Sequence, residues 1–142
     1  MTESDVYQWV VESDLVESGL PLIATLTGFN DSGSCISQFS DQLFGHLDNE
    51  LVAQFSNDRL LDYRSRRPRM FFEKDHITSY EPPTLALYQF SDEAGKKFLL
   101  LDGYEPDFSW NAFSESVLEI SRILEISSLT WMHAIPFPIP HT

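Results

Sequence analysis

Leu22-Ile23-Ala24-Thr25-Leu26-Thr27-Gly28-Phe29-Asn30-Asp31-Ser32-Gly33 decides the fold. The first six residues are a short apolar run, β-branched at Ile23, Thr25 and Thr27. Such a run suits a strand buried on both faces, as in a parallel sheet. From Gly28 to Gly33 the chemistry is that of a turn. A helix follows, because Ile36, Phe39, Leu43 and Leu47 recur at helical spacing. Asp31 or Ser32 can cap its first turn. Leu51 to Phe55 reads as a second strand, so the stretch predicts one right-handed βαβ unit.

Working outward, residues 1–20 form a peripheral lead-in, and Val6, Trp9, Val10 and Val11 suggest a short helix or an added strand. The α/β domain is expected over residues 21–142. Asn57 to Asp62 can make one helical turn. Met70 to Glu73 and Ile77 to Tyr80 are short strand candidates joined through Lys74-Asp75-His76. Leu85 to Phe90 and Lys97 to Leu101 flank a polar turn containing Gly95, a hairpin signal. A helix is expected from Ser109 to Glu125, with Trp110, Phe113, Val117, Ile120 and Leu124 as its buried stripe. Leu129 to His133 reads as a last strand, buried on both faces, and His133 as a hydrogen-bonded core histidine. The tail from Ile135 alternates proline and cannot be helix or central strand. The fold class is therefore α/β, a mixed and largely parallel sheet with flanking helices. Two helices are few for such a sheet, which predicts that a C-terminal continuation or a second copy supplies further cover.

The 142 residues fit one domain, and 42% hydrophobic with 22% charged residues argues against wholesale disorder. No apolar run approaches the ~20 residues of a membrane span, and the start lacks the basic region of a signal peptide. The expected location is the cytoplasm. The net charge of -13 predicts repulsion from nucleic acid and anionic lipid. Five of the nine basic residues crowd between Arg59 and Arg69. This island can serve an anion or an acidic partner surface, or pair with the chain's own carboxylates.

A search for reactive groups returns little. Cys35, the single cysteine, excludes an intrachain disulfide and reads as a small buried residue in the first turn of a helix. His46, His76, His133 and His141 show no i, i+4 metal pair. No metal or cofactor is expected. The turn at Asn30, Asp31 and Gly33 follows a strand and opens a helix, where anions collect, but it matches no phosphate-loop pattern and Asp31 would repel a phosphate. Its plainer reading is turn plus cap. Gly103-Tyr104-Glu105-Pro106-Asp107 is a second strand-to-helix junction. Asp31, Glu105 and Asp107 could gather in one cleft for acid–base work or a hard cation. The plainer reading is that Asp107 caps the second helix.

Gly28 to Gly33, Asp62-Tyr63 through Arg67-Pro68, Gly103 to Asp107 with Trp110 and Phe113, and Pro140-His141-Thr142 together resemble the PAC2 family of proteasome assembly chaperones, in particular its bacterial members. The resemblance runs in order from Leu22 to Thr142. It implies a fold akin to the nucleoside phosphorylase/hydrolase type and a role in binding partner proteins, proteasome subunits among them. It also implies that the chain corresponds to an N-terminal half, since family members continue past the Pro-His-Thr motif. The chaperone tail of a hydrophobic residue, Tyr and any residue has no counterpart in Pro140-His141-Thr142.

The motif positions give the candidates for ligand or partner binding: Asn30, Asp31, Gly33, Tyr63, Arg64, Arg67, Glu105, Asp107 and His141. The expected function is a non-catalytic, homo-oligomeric interaction domain of chaperone type, acting on protein partners. The alternative is a nucleoside- or phosphate-binding enzyme, with Arg64 to Arg69 holding phosphate and the Asn30-Asp31 turn lining its pocket.

Overall fold

The apolar run that opens the domain is a strand at the heart of the sheet. A computed structural model describes residues 5–28 and 30–138. In chain order the elements are β1 (Tyr7–Trp9), β2 (Pro21–Thr27), α1 (Cys35–His46), β3 (Asp48–Phe55), α2 (Asn57–Leu60), β4 (Arg69–Glu73), β5 (His76–Glu81), β6 (Leu85–Ser91), β7 (Lys97–Tyr104), α3 (Trp110–Ile123) and β8 (Ser128–Trp131). Single 3-10 turns at Ser13–Leu15 and Ser32–Ser34 fill two of the connections.

Six strands form one sheet in the order β1-β3-β6-β7-β2-β8. β2 runs parallel to both neighbours, with Ala24 opposite Leu101 on β7 and Trp131 on β8. The β6–β7 hairpin is antiparallel, as are β3–β6 and β1–β3. Four strands, β3, β7, β2 and β8, therefore share one direction. The sheet is mixed α/β, as the sequence predicts.

The βαβ expectation needs correcting in one respect. β2 and β3 are parallel, but β7 and β6 lie between them. The chain returns later as a hairpin and fills that gap, a long-range pairing that local signals do not carry.

One helix covers each face. Leu22, Ala24 and Leu26 of β2 alternate with Ile23, Thr25 and Thr27, so the two sets point to opposite sides. The first set joins Leu99, Leu101, Leu85, Leu87 and Phe55 beneath Phe113, Ile120 and Leu124 of the α3 segment. Each fully buried leucine contributes about 2 kcal/mol of hydrophobic stabilisation. On the other side α1 lays Ile36 and Phe44 over the sheet, Phe44 edge-on to Tyr88 and Phe90 at 4.9 and 5.2 Å. Under α1, Asp102 Oδ1 accepts hydrogen bonds from Thr25 Oγ1 at 2.7 Å and Ser40 Oγ at 2.6 Å. This explains a fully buried threonine and a buried serine in apolar surroundings.

Four expectations of burial change, those for Trp110, the last strand, His133 and Cys35. Trp110 opens α3 but is 42% exposed, because the buried stripe begins at Phe113. β8 is an edge strand, so Leu129 (48%) and Trp131 (45%) are exposed, and His133 beyond it is exposed too. Cys35 stands on the outer side of the first turn of α1 and is exposed. β4 and β5 pair only with each other, outside the main sheet. The lead-in supplies an edge strand, β1, rather than a helix.

Candidate functional site

The carboxyl ends of β2 and β7 lie side by side, and most of the candidate residues gather there. Gly103, near the end of β7, has φ 142°, and any Cβ at this position would strike the Thr84 carbonyl and the Leu85 backbone. Only glycine lets β6 begin so close to β7. Past Gly103, the Glu105 amide donates to the Thr27 carbonyl at 2.9 Å and ties the two strand ends together. A Cβ on Gly28 would overlap the Glu105 carboxylate, so Gly28 is where the acid packs flat on the backbone.

Asp31 serves its own helix. Its Oδ1 accepts from the Ile36 amide at 2.8 Å, and its Oδ2 accepts from the Ser37 amide at 3.1 Å and the Ser37 hydroxyl at 2.6 Å. The Ser37 hydroxyl, then the Ile36 amide, hold its carboxyl below the usual carboxylate range. The first-turn donors that would attract a phosphate are therefore already filled by a carboxylate. Asp31 caps from outside the helix. Ser34, the residue at the N-cap position, makes no side-chain cap. Gly33, at φ 66°, supplies the left-handed step that swings Asp31 back over the turn. The same turn is anchored laterally, since Asp31 bridges Ala134 and the Ser32 amide donates to the Ala134 carbonyl at 3.0 Å. Asn30, part-exposed, precedes it.

Asp107 does not cap α3. Ser109 occupies the N-cap position of α3 with φ 55°. Asp107 instead reaches across to the loop after α2. Its Oδ2 accepts from the Asp62 amide at 2.8 Å and its Oδ1 from Arg66 Nη2 at 3.1 Å. The Asp107 amide donates to the Leu60 carbonyl at 2.8 Å. Arg66 also donates through Nη1 to the Thr27 carbonyl at 3.3 Å, and its guanidinium lies 5.5 Å over the Tyr104 ring. Arg66 thus joins β2, β7 and the arginine-rich loop, combining a charge-assisted hydrogen bond with a cation–π contact. Tyr104 completes the joint by donating its hydroxyl to Asn57 Oδ1 at 2.6 Å. Burial, then the neighbouring Tyr63, push the Tyr104 hydroxyl far above its usual range.

The structure thus brings Gly28, Glu105, Asp107 and Arg66 to one edge, with Asp31 at the neighbouring turn. Sequence reasoning does not select Arg66, because a row of similar arginines gives no sign of which one turns inward. The sole available signal is that Tyr104 and Asp107 end a strand opposite a basic loop. Arg64 turns outward and pairs with Asp62 at 3.2 Å. That arginine holds the Asp62 carboxyl below its usual range. Tyr63 is exposed and donates its hydroxyl to Asp58 at 3.0 Å. Arg67 is exposed and has no ion-pair partner among the described residues. His141 lies outside the described residues. No group of three or more His, Cys, Asp and Glu side chains among the described residues could hold a metal ion. No helix among them is long and apolar enough to cross a membrane.

The basic island divides. Arg59 pairs with Asp5 at 2.7 Å, Arg64 with Asp62 and Arg66 with Asp107. Arg67 and Arg69 point away, at the root of the β4–β5 hairpin. Every residue of that hairpin is exposed. Met70 faces Tyr80 and Phe72 faces Ile77 across the ladder. Cross-strand partners share a face, residues two apart on β4 share a face, and the bulge between Phe71 and Phe72 in the register keeps Ile77 on that side. Met70, Phe72, Ile77 and Tyr80, the latter three exposed at 68, 51 and 65%, make one apolar face.

Comparison with known proteins agrees with this architecture. A search of curated proteins returned no match. The solved structure of Rv2714 from Mycobacterium tuberculosis, a protein of unknown function, is 38% identical, with a TM-score of 0.87 over 96% of this chain and 49% of that one. A protein of unknown function from Corynebacterium glutamicum is 35% identical, with a TM-score of 0.88 over 96% of this chain and 53% of that one. A third structure, of the Mycobacterium tuberculosis proteasome-assembly chaperone homologue Rv2125, shares the fold at 17% identity, with a TM-score of 0.74 over 82% of this chain and 50% of that one. The chain spans about half the length of these relatives. The family model for the PAC2 family matches residues 25–142, from mid-β2 through both strand-to-helix junctions and the arginine-rich loop, and the chain belongs to that family.

Proposed function

We propose that this chain is a protein-interaction domain of the proteasome-assembly-chaperone type, acting without catalysis in the cytoplasm and self-associating through the β4–β5 hairpin. The observation that carries the reading is the hairpin itself. An isolated two-stranded hairpin is marginal in water unless its apolar face packs on something. This one has four large apolar side chains on one face and no strand of the main sheet beside it.

A second copy of the chain suits that face by charge. Arg67 and Arg69, at the hairpin root, have no ion-pair partner among the described residues, while the chain as a whole carries 22 Asp and Glu against 9 Lys and Arg. The basic root of one copy meets an acidic surface on the next. The carboxyl edge argues against the phosphate-binding alternative. Asp31 fills the helix N-terminus, and Arg64 and Arg66 are paired with Asp62 and Asp107.

The chaperone part of the proposal is tested by mixing the purified chain with proteasome α subunits at low salt. Co-migration lost in the Met70→Ser, Phe72→Ser double variant is the expected outcome. Absence of any association would sink the chaperone role. A thermal-shift series with phosphate, nucleosides and nucleotides tests the alternative, because a specific ligand raises the midpoint by mass action. No phosphate-dependent rise in the midpoint is expected.

A further inference from the structure

A second surface, at the far edge of the sheet, carries chemistry that the interaction role does not use. A cleft of about 510 Å³ opens where β3 ends and β1 begins, lined by Asp5, Gln8, Gln54, Phe55, Asp58 and Tyr63 among others. Gln8 and Gln54 are direct cross-strand partners. α1 makes its contacts over β6, β7 and β2, so among the described residues no helix lies over these two carboxamides.

The ionic groups of the cleft are already engaged. Asp5 holds Arg59 at 2.7 Å, and Asp58 accepts the Tyr63 hydroxyl at 3.0 Å. That bond to Asp58 raises the Tyr63 hydroxyl above its usual range. The side chains without a hydrogen-bond partner among the described residues are the Ser56 hydroxyl and the neutral carboxamides of Gln8 and Gln54. Each carboxamide can donate two hydrogen bonds and accept others. An anion is disfavoured by Asp5 and Asp58. A simple amine could reach their remaining lone pairs but leaves both amides unused. An apolar ligand would strand both amides.

We propose that this cleft binds a neutral vicinal diol, of a sugar ring or of the ribose of a nucleoside. The carboxamides of Gln8 and Gln54 bridge neighbouring hydroxyls, each donating to one and accepting from the next. The free lone pairs of Asp58 accept from a third hydroxyl. The half-exposed Tyr63 ring offers the flat apolar wall against which the C–H face of a sugar packs. The site is open to solvent, so binding is weak and calls for a direct method.

Saturation-transfer NMR on the full 142-residue chain, with D-ribose, methyl glucoside, adenosine, dideoxyadenosine and n-butylammonium, tests the assignment. Saturable binding of ribose or methyl glucoside assigns the diol to a free sugar. Binding of adenosine, with dideoxyadenosine silent, assigns it to a nucleoside. In either case Gln54→Ala and Asp58→Asn each weaken binding about tenfold, the usual cost of one hydrogen bond, while the melting temperature holds. The two variants sit on different elements, so misfolding of one leaves the other as the test. The proposal is overturned if no diol binds, if dideoxyadenosine binds as well as adenosine, if n-butylammonium binds in place of the diols, or if both variants bind like wild type.

Discussion

The carboxyl edge of β2 and β7 and the β4–β5 hairpin both draw on the arginine-rich stretch, yet they end up in opposite physical states. Between Arg59 and Arg69 the chain spends its first arginines on internal partners: Arg59 on Asp5, Arg64 on Asp62, Arg66 on Asp107. Arg67 and Arg69 have no ion-pair partner among the described residues. Arg67, Arg69 and the whole hairpin face outward with aromatic and aliphatic groups exposed. An edge whose hydrogen bonds close on themselves is structure that folding alone accounts for. An exposed apolar face leaves hydrophobic free energy unclaimed by the described residues, and on that ground we propose it as an interaction surface.

The sharpest way to break this contrast is at Asp107. Asp107→Ala removes the acceptor of both the Asp62 amide and Arg66 and leaves Arg66 half-buried without its counter-charge. A loss of about 2–3 kcal/mol is expected, by chemical denaturation. Gly103→Ala should cost a similar or smaller amount, since a Cβ there meets backbone that cannot yield. In the hairpin, the Met70→Ser, Phe72→Ser variant should leave chain stability within about 0.5 kcal/mol. It should nevertheless lower the apparent mass in solution. A large drop in stability from this variant would show that the hairpin packs on its own domain.

The smallest effect belongs to the turn. Asp31→Ala should lower the melting temperature by a few degrees, as loss of a helix cap does, and leave self-association intact. The pH dependence has a definite sign. Asp31 and Asp62 have carboxyls held below the ordinary carboxylate range, so their contributions are complete above about pH 5 and are lost as the pH falls through their folded-state values. Thermal midpoints should be flat from neutral pH down to about pH 5 and then fall. In Asp31→Asn the fall should be shallower.

Local chemistry made much of this molecule legible. The Leu22 to Thr27 strand, both long helices, the β6–β7 hairpin and the strand-like character of residues 70–80 follow from periodicity and turn residues. What periodicity does not carry is which strands become neighbours. The insertion of β6 and β7 between β2 and β3 rests on pairings distant in sequence. Nor does an apolar run reveal whether it is central or at an edge, which is why Leu129 and Trp131 read as buried. At the site, Asp31 as a cap was legible from its place before a helix. Asp107 was not: a carboxylate before a helix reads as a cap, and only the arrival of the Arg66 loop from elsewhere in the chain gives it another use.

The central claim is that the β4–β5 hairpin is an interface between copies of this chain. Sedimentation velocity of the full chain over a range of concentrations tests it most directly. A species at a whole multiple of 16.3 kDa, dissociating to 16.3 kDa in the Met70→Ser, Phe72→Ser variant, is the predicted result. A single 16.3 kDa species at every concentration, or an oligomer unchanged by those substitutions, would contradict it.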